Sequence, residues 1–328
     1  MTTAGPDNAA LSPVTEQRNP RTSEIDVLPT VEVLRLLNSE DAGVPSAVEE
    51  VLPVLAELVD AAVERAQRGG RVHYFGAGTS GRIAMLDAAE LPPTFGVEPG
   101  FATAHLAGGE AATRLAVENA EDDLGAGRSA AQALGPDDIA IGVSASGSAP
   151  YVSAALQRAR ENGALTALIT SNPDAALGEL VDYHLAADTG PEALTGSTRL
   201  KAGTAAKLML NGFSTALMVR LGRSYSNMMV DMVPTNQKLR HRTVRILVQA
   251  TGADETTSRD ALVESGDNLK VALVAMLSGS PARASAEALE QAGGHVRAAL
   301  SLLGTDGPGG LPGVRKPAPA APPATAAN

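Results

Sequence analysis

The amino-acid sequence predicts an α/β fold in which helices cover both faces of a doubly wound parallel sheet. Between Arg71 and Gly222, short apolar runs alternate with segments of helix length, which is typical of parallel strands buried on both faces. Helical periodicity precedes this region and returns after Val230. A chain of 328 residues is long enough for two domains. We therefore expect N-terminal helices, the α/β domain and a small helical C-terminal domain.

The positions of the apolar residues give the elements in order. Helical spacing is found from Thr30 and again over residues 44–67. The predicted strands are Val72–Phe75, Phe101–Leu106, Ile139–Val143, Leu165–Thr170 and Tyr183–Ala186. Helices are predicted at roughly 81–90, 110–124, 150–162, 173–180 and 200–221. Glycines divide residues 243–303 into four or five short helices.

These patterns divide the chain into five segments. Residues 1–14 and 304–328 are rich in small residues and proline without periodicity, so we expect disordered tails there. Residues 15–60 form an N-terminal arm and helices. The α/β domain is predicted over residues 61–224, and the helical C-terminal domain over 225–303.

Composition excludes several classes of function. A formal net charge of -11 disfavours nucleic acid as a partner, because binding its phosphates needs a basic surface. The absence of cysteine excludes disulfides, cysteine-ligated metals and a thiol nucleophile. There is neither a signal-peptide pattern nor an apolar run of the roughly 20 residues that a membrane span needs. We therefore expect a cytoplasmic protein with no membrane partner.

A glycine-rich loop follows the first predicted strand and opens a helix. Residues 76–81 read Gly-Ala-Gly-Thr-Ser-Gly. Amides at the helix N-terminus around Gly78, with the hydroxyl groups of Thr79 and Ser80, are suited to binding an anion. The string also satisfies the dinucleotide-binding pattern, but the acidic residue at the expected distance, Glu98, precedes the second strand instead of following it. A P-loop is not matched, because no Lys-Ser or Lys-Thr pair follows the last glycine.

A second loop, after the third strand, offers similar chemistry. Ser144, Ser146 and Ser148 place three hydroxyl groups within five residues, and Pro150 suits the first position of a helix. One such loop is equally consistent with an ordinary helix cap. Two of them on one sheet favour phosphate binding, because open α/β sheets bind ligands beyond the carboxyl ends of their strands.

A third polar cluster opens the longest predicted helix. Ser197 and Thr198 add hydroxyl groups, and Arg199 and Lys201 add positive charges. A helix cap alone would not need both charges. We therefore expect Ser197, Thr198 and Lys201 to contact the same phosphate.

Two glutamates are candidates for acid–base chemistry. Glu90 is predicted to close a helix just before Pro92 and Pro93, where the helix dipole disfavours an acid by about 0.3–1 kcal/mol. Glu121 lies in the acidic segment 118–123. A merely solvated acid is the alternative for each residue. The five histidines show no metal-ligand spacing, so no metal is expected.

Seven strings of residues occur in order along the chain: Gly76–Arg82, Leu86–Pro93, Gly108–Glu110, Glu118–Asp122, Ser144–Gly147, Thr195–Thr204 and Asn227–Met232. Together they resemble the N-acetylmuramic acid 6-phosphate etherases. The resemblance runs from Thr15 to about Gly304, in order and nearly without gaps. Relatives of this family include sugar-isomerase domains and the vertebrate glucokinase regulator, which bind sugar phosphates on the same fold.

The resemblance implies removal of D-lactate from the C3 ether of N-acetylmuramate 6-phosphate, which leaves N-acetylglucosamine 6-phosphate. In the family's reaction the open-chain aldehyde acidifies the C2 proton and a base removes that proton. The lactyl oxygen then leaves with acid assistance, and water adds to the unsaturated intermediate. Such chemistry needs two carboxyl groups and a phosphate anchor, with no cofactor.

The same resemblance implies roles for individual residues. Glu90 matches the family's proton donor and Glu121 its second acid–base residue, and the hydroxyl loops match its sugar-phosphate cradle. The family is homodimeric, and Thr15–Thr22 resembles its N-terminal arm, which is expected to reach the partner subunit's site. Two other functions remain open on the residues alone. A sugar-phosphate sensor would need the loops but not the glutamates, and an aldose–ketose isomerase would release no lactate.

Overall fold

Five parallel strands form the central sheet of the protein. They are β1 Val72–Gly76, β2 Ala102–Leu106, β3 Ile139–Val143, β4 Leu165–Thr170 and β5 Tyr183–Ala186, in the order β2-β1-β3-β4-β5. The computed structural model describes residues 14–305 except 233, 235 and 236. Both the α/β class and the parallel sheet that the sequence predicts are confirmed.

Helices cover both faces of this sheet. The α-helices of this part of the chain are α1 Thr30–Asp41, α2 Val44–Glu49, α3 Leu52–Gln67, α4 Gly78–Phe95, α5 Leu124–Ala130, α6 Pro150–Glu161 and α7 Lys201–Arg220. Alternate strand residues point to opposite faces. Tyr74 and Ile141 pack with α3, α4 and α7, whereas Phe75 and Leu168 pack with α6. A short hairpin, β6 Ser224–Tyr225 and β7 Met228–Met229, follows α7.

Helix α4 is longer than the sequence predicts. It continues through Pro92 and Pro93 to Phe95, so the prediction that Glu90 closes the helix is wrong. Each proline removes one backbone donor, but its fixed φ remains compatible with a helix. The helix ends at Gly96, whose φ of 62° and N–H bond to the Pro92 carbonyl form the C-cap.

The prediction of one helix at 110–124 is also wrong. In its place the chain forms the 3-10 turns Gly109–Thr113 and Ala120–Asp122 and then α5. Gly108 has a φ of 83° and Asn119 a φ of 61°, and such left-handed residues do not continue a right-handed helix.

Two other predicted helices are modified. The periodic stretch at 44–67 is broken into α2 and α3, since Pro53 lacks the N–H group that would continue one helix through it. The helix predicted at 173–180 is reduced to a 3-10 turn at Ala176–Leu180.

The chain divides into two compact units, with the boundary between residues 233 and 234. The second unit contains α8 Gln237–Thr251, α9 Glu255–Glu264, α10 Leu269–Ser278, α11 Ala282–Gln291 and α12 Val296–Leu302. Leu247, Leu273 and Leu300 are fully buried in this helical unit. Asp254 and Asn268 cap α9 and α10 by accepting backbone hydrogen bonds.

The tails predicted at 1–14 and 304–328 lie outside the described residues, apart from Val14, Gly304 and Thr305. Among the helices that the structure describes, none combines the length and apolar character needed to cross a membrane.

Candidate functional site

A cavity of about 270 Å³ opens at the carboxyl ends of β1 and β3. Its position follows from the strand order, because the connections from β1 and β3 leave toward opposite sides and their loops separate. The lining residues are Glu16, Ala77, Gly78, Thr79, Ser80, Glu121, Val143, Ser144, Ala145, Ser146, Ala149 and Thr198. We call this cavity the sheet-edge pocket.

The first wall of the pocket is the turn from β1 into α4. The N-cap of α4 is Ala77, which has no side chain able to cap the helix. The first amides of this 18-residue helix are therefore free of side-chain caps, beside the hydroxyl groups of Thr79 and Ser80. An uncapped helix N-terminus with adjacent hydroxyl donors is suited to a phosphate.

The glycines of this turn are explained by packing and need no dinucleotide. A Cβ on Gly76 would lie 2.7 Å from the backbone nitrogen of Gly81, and a Cβ on Gly81 would lie 2.2 Å from Leu106 Cδ1. Gly78 has a φ of 52°, which favours glycine. The pattern therefore reflects close approach of helix and strand.

The second wall is the loop between β3 and α6. Its N-cap is again an alanine, Ala149, without a side-chain cap. Ser144 is buried, and its Oγ accepts a hydrogen bond from the Gly147 amide at 3.2 Å. Ser146 and Ser148 share a hydrogen bond of 2.8 Å between their Oγ atoms, but Ser148 is exposed and lies outside the lining.

The loop after β4 holds this second wall in place. Thr170 Oγ1 donates to the Ala145 carbonyl at 2.9 Å, and Asn172 Nδ2 donates to the Ser146 carbonyl at 3.0 Å. Gly147 has a φ of 69° and packs so closely that a Cβ would lie 2.4 Å from Ala175 Cβ. The serine hydroxyl groups therefore project from a rigid backbone.

The third predicted cluster contributes less than expected. Thr198 lines the pocket, but Ser197 does not. Lys201 is buried with 2% exposure, and its Nζ lies 2.9 Å from Glu40 Oε2. Its charge therefore belongs to a buried ion pair, and the structure does not bring it to the pocket.

The two candidate glutamates are in different places. Glu121 is exposed on the 3-10 turn Ala120–Asp122 and lines the pocket. Glu90 is exposed on α4, twelve residues beyond Gly78, which is about 18 Å along the helix axis. It is absent from the lining, so one chain brings only Glu121 of this pair to the pocket.

One lining residue, Glu16, was assigned no role by the residue patterns. It ends the 3-10 turn Val14–Glu16, and a Cβ built on Gly196 would lie 3.0 Å from its Oε2 atom. The family resemblance places this segment at the partner subunit's site, yet Glu16 lines the pocket of its own chain. No local pattern marks it, because its position depends on tertiary contacts of residues far apart in the sequence.

Those contacts converge on the buried carboxylate of Glu40. Asn19 Nδ2 donates to it at 2.7 Å, and Arg21 makes two hydrogen bonds at 2.5 and 2.7 Å. Lys201 Nζ donates to it as well. The hydrogen bond from Arg21 is the largest of the effects that hold the pKa of Glu40 at about 2, against the opposing effect of burial.

The chain is similar to known proteins in family, sequence and fold. A family model described as "Glucokinase regulatory protein N-terminal SIS domain" matches residues 54–160, and one described as "SIS domain" matches residues 117–212. A solved phosphoheptose isomerase from Francisella tularensis aligns with a TM-score of 0.47 at 22% identity, over 58% of this chain and 100% of that chain.

Three curated relatives carry the same name, N-acetylmuramic acid 6-phosphate etherase. The relative from Thermobifida fusca is 55% identical, over 80% of this chain and 87% of its own length. The relative from Symbiobacterium thermophilum is 49% identical, over 81% of this chain and 89% of its own length. The relative from Pectobacterium atrosepticum is 48% identical, over 88% of this chain and 95% of its own length.

Proposed function

The chain belongs to the N-acetylmuramic acid 6-phosphate etherases, and we propose that it cleaves the ether at the sheet-edge pocket. It is a lyase whose reaction releases D-lactate from N-acetylmuramate 6-phosphate and yields N-acetylglucosamine 6-phosphate. The observation that supports the location is one cavity containing two uncapped helix N-termini, five hydroxyl side chains and the carboxylate of Glu121.

The phosphate of the substrate binds between the two loops. Thr79 and Ser80 donate from one side, Ser144 and Ser146 from the other, and Thr198 closes the site. Two helix N-termini without side-chain caps favour negative charge at this point. Lys201 has no direct part in this proposal, since its ammonium group is held by Glu40.

Binding of the phosphate brings the sugar carbons to Glu121. In the open-chain aldehyde the proton on C2 is acidic, and the carboxylate of Glu121 removes it. The electron pair forms a C2–C3 double bond as the bond from C3 to the lactyl oxygen breaks. That oxygen takes a proton from a second carboxyl group and leaves as lactate. Water then adds across this double bond: its hydroxyl group bonds to C3, Glu121 returns the proton to C2, and the other proton of the water re-protonates the second carboxyl group.

The second carboxyl group is Glu90 of another copy of the chain. Within one chain, Glu90 lies on the exposed side of α4 and outside the pocket. Two apolar side chains one turn earlier, Met85 and Leu86, are 36% and 47% exposed. A homodimer that buries this surface would remove apolar area from water, and we propose that such a dimer places Glu90 at the pocket of the partner.

The proposed function is tested by measuring D-lactate released from N-acetylmuramate 6-phosphate and from unphosphorylated N-acetylmuramate. We expect release from the phosphorylated compound and little from the other, because the phosphate contacts supply the energy that positions C2 and C3. Equal kcat/KM for both compounds would contradict the phosphate site. Binding or isomerisation without lactate release would contradict the etherase function.

A further inference from the structure

The carboxylate of Glu16 is unexpected in a pocket built for phosphate. Hydroxyl groups and helix N-termini line the rest of the site and attract an anion. A second negative group on the wall repels that anion, and for unit charges ~6 Å apart in water this lowers the affinity by about threefold. Phosphate binding alone therefore gives no reason for a glutamate at this position.

Glu16 follows a buried residue, and its carboxylate lies next to a glycine. The residue before it, Thr15, is 1% exposed, and the Glu16 carboxylate lies against Gly196, where there is no side chain. Gly196 has a φ of 74°, which favours glycine and keeps this space open. Gly196 lies two residues before Thr198, so the carboxylate lies beside the loop that closes the phosphate site.

The buried ion cluster around Glu40 also holds the N-terminal segment that contains Glu16, through residues that follow Glu16 in the chain. Asn19 donates to Glu40 and also to the Pro191 carbonyl at 3.2 Å. Lys201, the first residue of α7, shares the Glu40 carboxylate. The segment with Glu16 and the start of α7 are thus tied to one buried group, which holds the backbone of that segment beside the phosphate loops, while the Glu16 side chain itself is exposed to the pocket.

We infer that Glu16 is a specificity-determining residue, which accepts hydrogen bonds from sugar hydroxyl groups and repels phosphate from its side of the pocket. A sugar phosphate then binds in one orientation, with the phosphate at the serine loops and hydroxyl groups at Glu16. Hydrogen bonds from sugar hydroxyl groups to a charged group strengthen binding by about 10- to 150-fold, which exceeds the roughly threefold loss caused by repulsion of the phosphate. This inference rests on the proposed function, since it assumes that the ligand of the pocket is a sugar phosphate.

The test is Glu16→Gln, which keeps the size of the side chain and removes its charge. The matched control is Glu24→Gln, an exposed glutamate of the same N-terminal segment that lies outside the pocket. Calorimetry would give the affinities of each variant for N-acetylglucosamine 6-phosphate and for inorganic phosphate. Circular dichroism would confirm that each variant is folded.

We expect Glu16→Gln to lower the affinity for N-acetylglucosamine 6-phosphate by about 4- to 50-fold, because the lost hydrogen bonds outweigh the repulsion that is also removed. Inorganic phosphate should bind about threefold more tightly, since the repulsion is gone. The control should change neither affinity. Opposite changes in the two affinities are specific to this role, because a variant that merely distorts the pocket would have a lower affinity for both ligands.

Equal affinities in Glu16→Gln and the wild type, or a loss for both ligands, would overturn the inference. Lactate release by the wild-type protein, measured in parallel, separates this failure from that of the proposed function. If the wild type releases lactate and the shifts are absent, Glu16 has no such role. If the shifts are present without lactate release, Glu16 selects sugar phosphates and the etherase assignment fails.

Discussion

At the scale of single residues, Ser80 and Ser146 are the positions at which the proposed phosphate binding can be distinguished from helix capping. Both line the pocket, and neither caps a helix, because the N-cap positions are occupied by Ala77 and Ala149. The alternative that these serines serve only as ordinary caps is therefore not supported.

The first prediction concerns these two serines. Ser80→Ala and Ser146→Ala each remove one donor to a charged group, which contributes about 1.5–3 kcal/mol. We expect KM for N-acetylmuramate 6-phosphate to rise about 10- to 100-fold in each variant, with kcat changed much less. Steady-state assays would measure both constants, with Ser23→Ala, an exposed serine outside the pocket, as the control. A wild-type KM in both variants would show that these hydroxyl groups do not bind the phosphate.

The residue patterns predicted most of the residues that line the pocket, but they did not predict which charged side chains form contacts with distant parts of the sequence. Thr79, Ser80, Ser144 and Ser146 follow strand ends, and that position is visible in the sequence. The ion pair of Lys201 was not visible, because its partner, Glu40, is 161 residues away. The position of Glu16 depends on the same long-range contacts.

At the scale of elements, the buried carboxylate of Asp87 links α4 to β1 and α7. It accepts hydrogen bonds from Tyr74 Oη at 2.9 Å and from Ser214 Oγ at 2.9 Å, and it is 5% exposed. Burial raises the pKa of Asp87, while the two hydroxyl groups act in the opposite direction. The carboxylate therefore fixes the helix whose N-terminus forms the first wall of the pocket.

The second prediction is that Asp87→Ala destabilises the protein. The substitution leaves two buried hydroxyl groups without their acceptor, at about 1–3 kcal/mol each. We expect the free energy of unfolding to fall by about 2–5 kcal/mol in urea titrations. Asp26→Ala, at an exposed position, is the control and should change it by less than about 0.5 kcal/mol. Equal midpoints for Asp87→Ala and the wild type would show that this carboxylate does not join the elements.

The third prediction concerns the pairing of β1 with β2. The Nε2 atom of His105 on β2 lies 3.1 Å from the Nδ1 atom of His73 on β1. The ring of His105 also stacks on Phe75, with ring centroids 4.7 Å apart. Burial, with a smaller effect of His73, lowers the pKa of His105 to about 4. In the unfolded chain its pKa is about 6.5. Between these values the unfolded state binds more protons, so the free energy of unfolding falls as the pH falls from about 6.5 to 4.

Urea titrations at pH 7 and pH 5 would measure this effect. His105→Gln removes one titrating group, so we expect the variant to lose less stability than the wild type between the two pH values. An identical loss in both proteins would mean that His105 does not contribute to acid sensitivity.

The elements that the sequence predicts best are those set by local periodicity. All five predicted strands are present, because a buried parallel strand is a short, continuous apolar run. The prediction of a helix at 110–124 is wrong, because the spacing of apolar residues does not indicate that Asn119 adopts a positive φ. Helix α4 was predicted too short because prolines within a helix are rarer than prolines that end one.

At the scale of the whole molecule, only one of the two glutamates of the proposed reaction lines the sheet-edge pocket of its own chain. Glu121 lines the sheet-edge pocket, and Glu90 lies on the exposed side of α4. A symmetric homodimer would repeat the missing contact twice, with each copy completing the site of the other. The family resemblance pointed to a dimer, but no residue pattern indicated which glutamate would cross between copies.

The fourth prediction tests this arrangement by mixing two inactive variants. Glu90→Gln and Glu121→Gln are unfolded together and refolded, which produces hybrid dimers. If the two glutamates of a site come from different copies, each hybrid has one intact site, and about a quarter of the wild-type activity returns. If both come from the same chain, every site carries one substitution. Activity no greater than the sum of the two separate variants would therefore contradict the shared site.

The most direct measurement is the rate of D-lactate release by Glu121→Gln, paired with its affinity for N-acetylglucosamine 6-phosphate. Glutamine keeps the size of the side chain and loses the ability to move a proton. We predict that lactate release falls by about 10²- to 10⁴-fold, while the sugar phosphate still binds with near wild-type affinity. Lactate release at a near wild-type rate would contradict the claim that the sheet-edge pocket cleaves the ether.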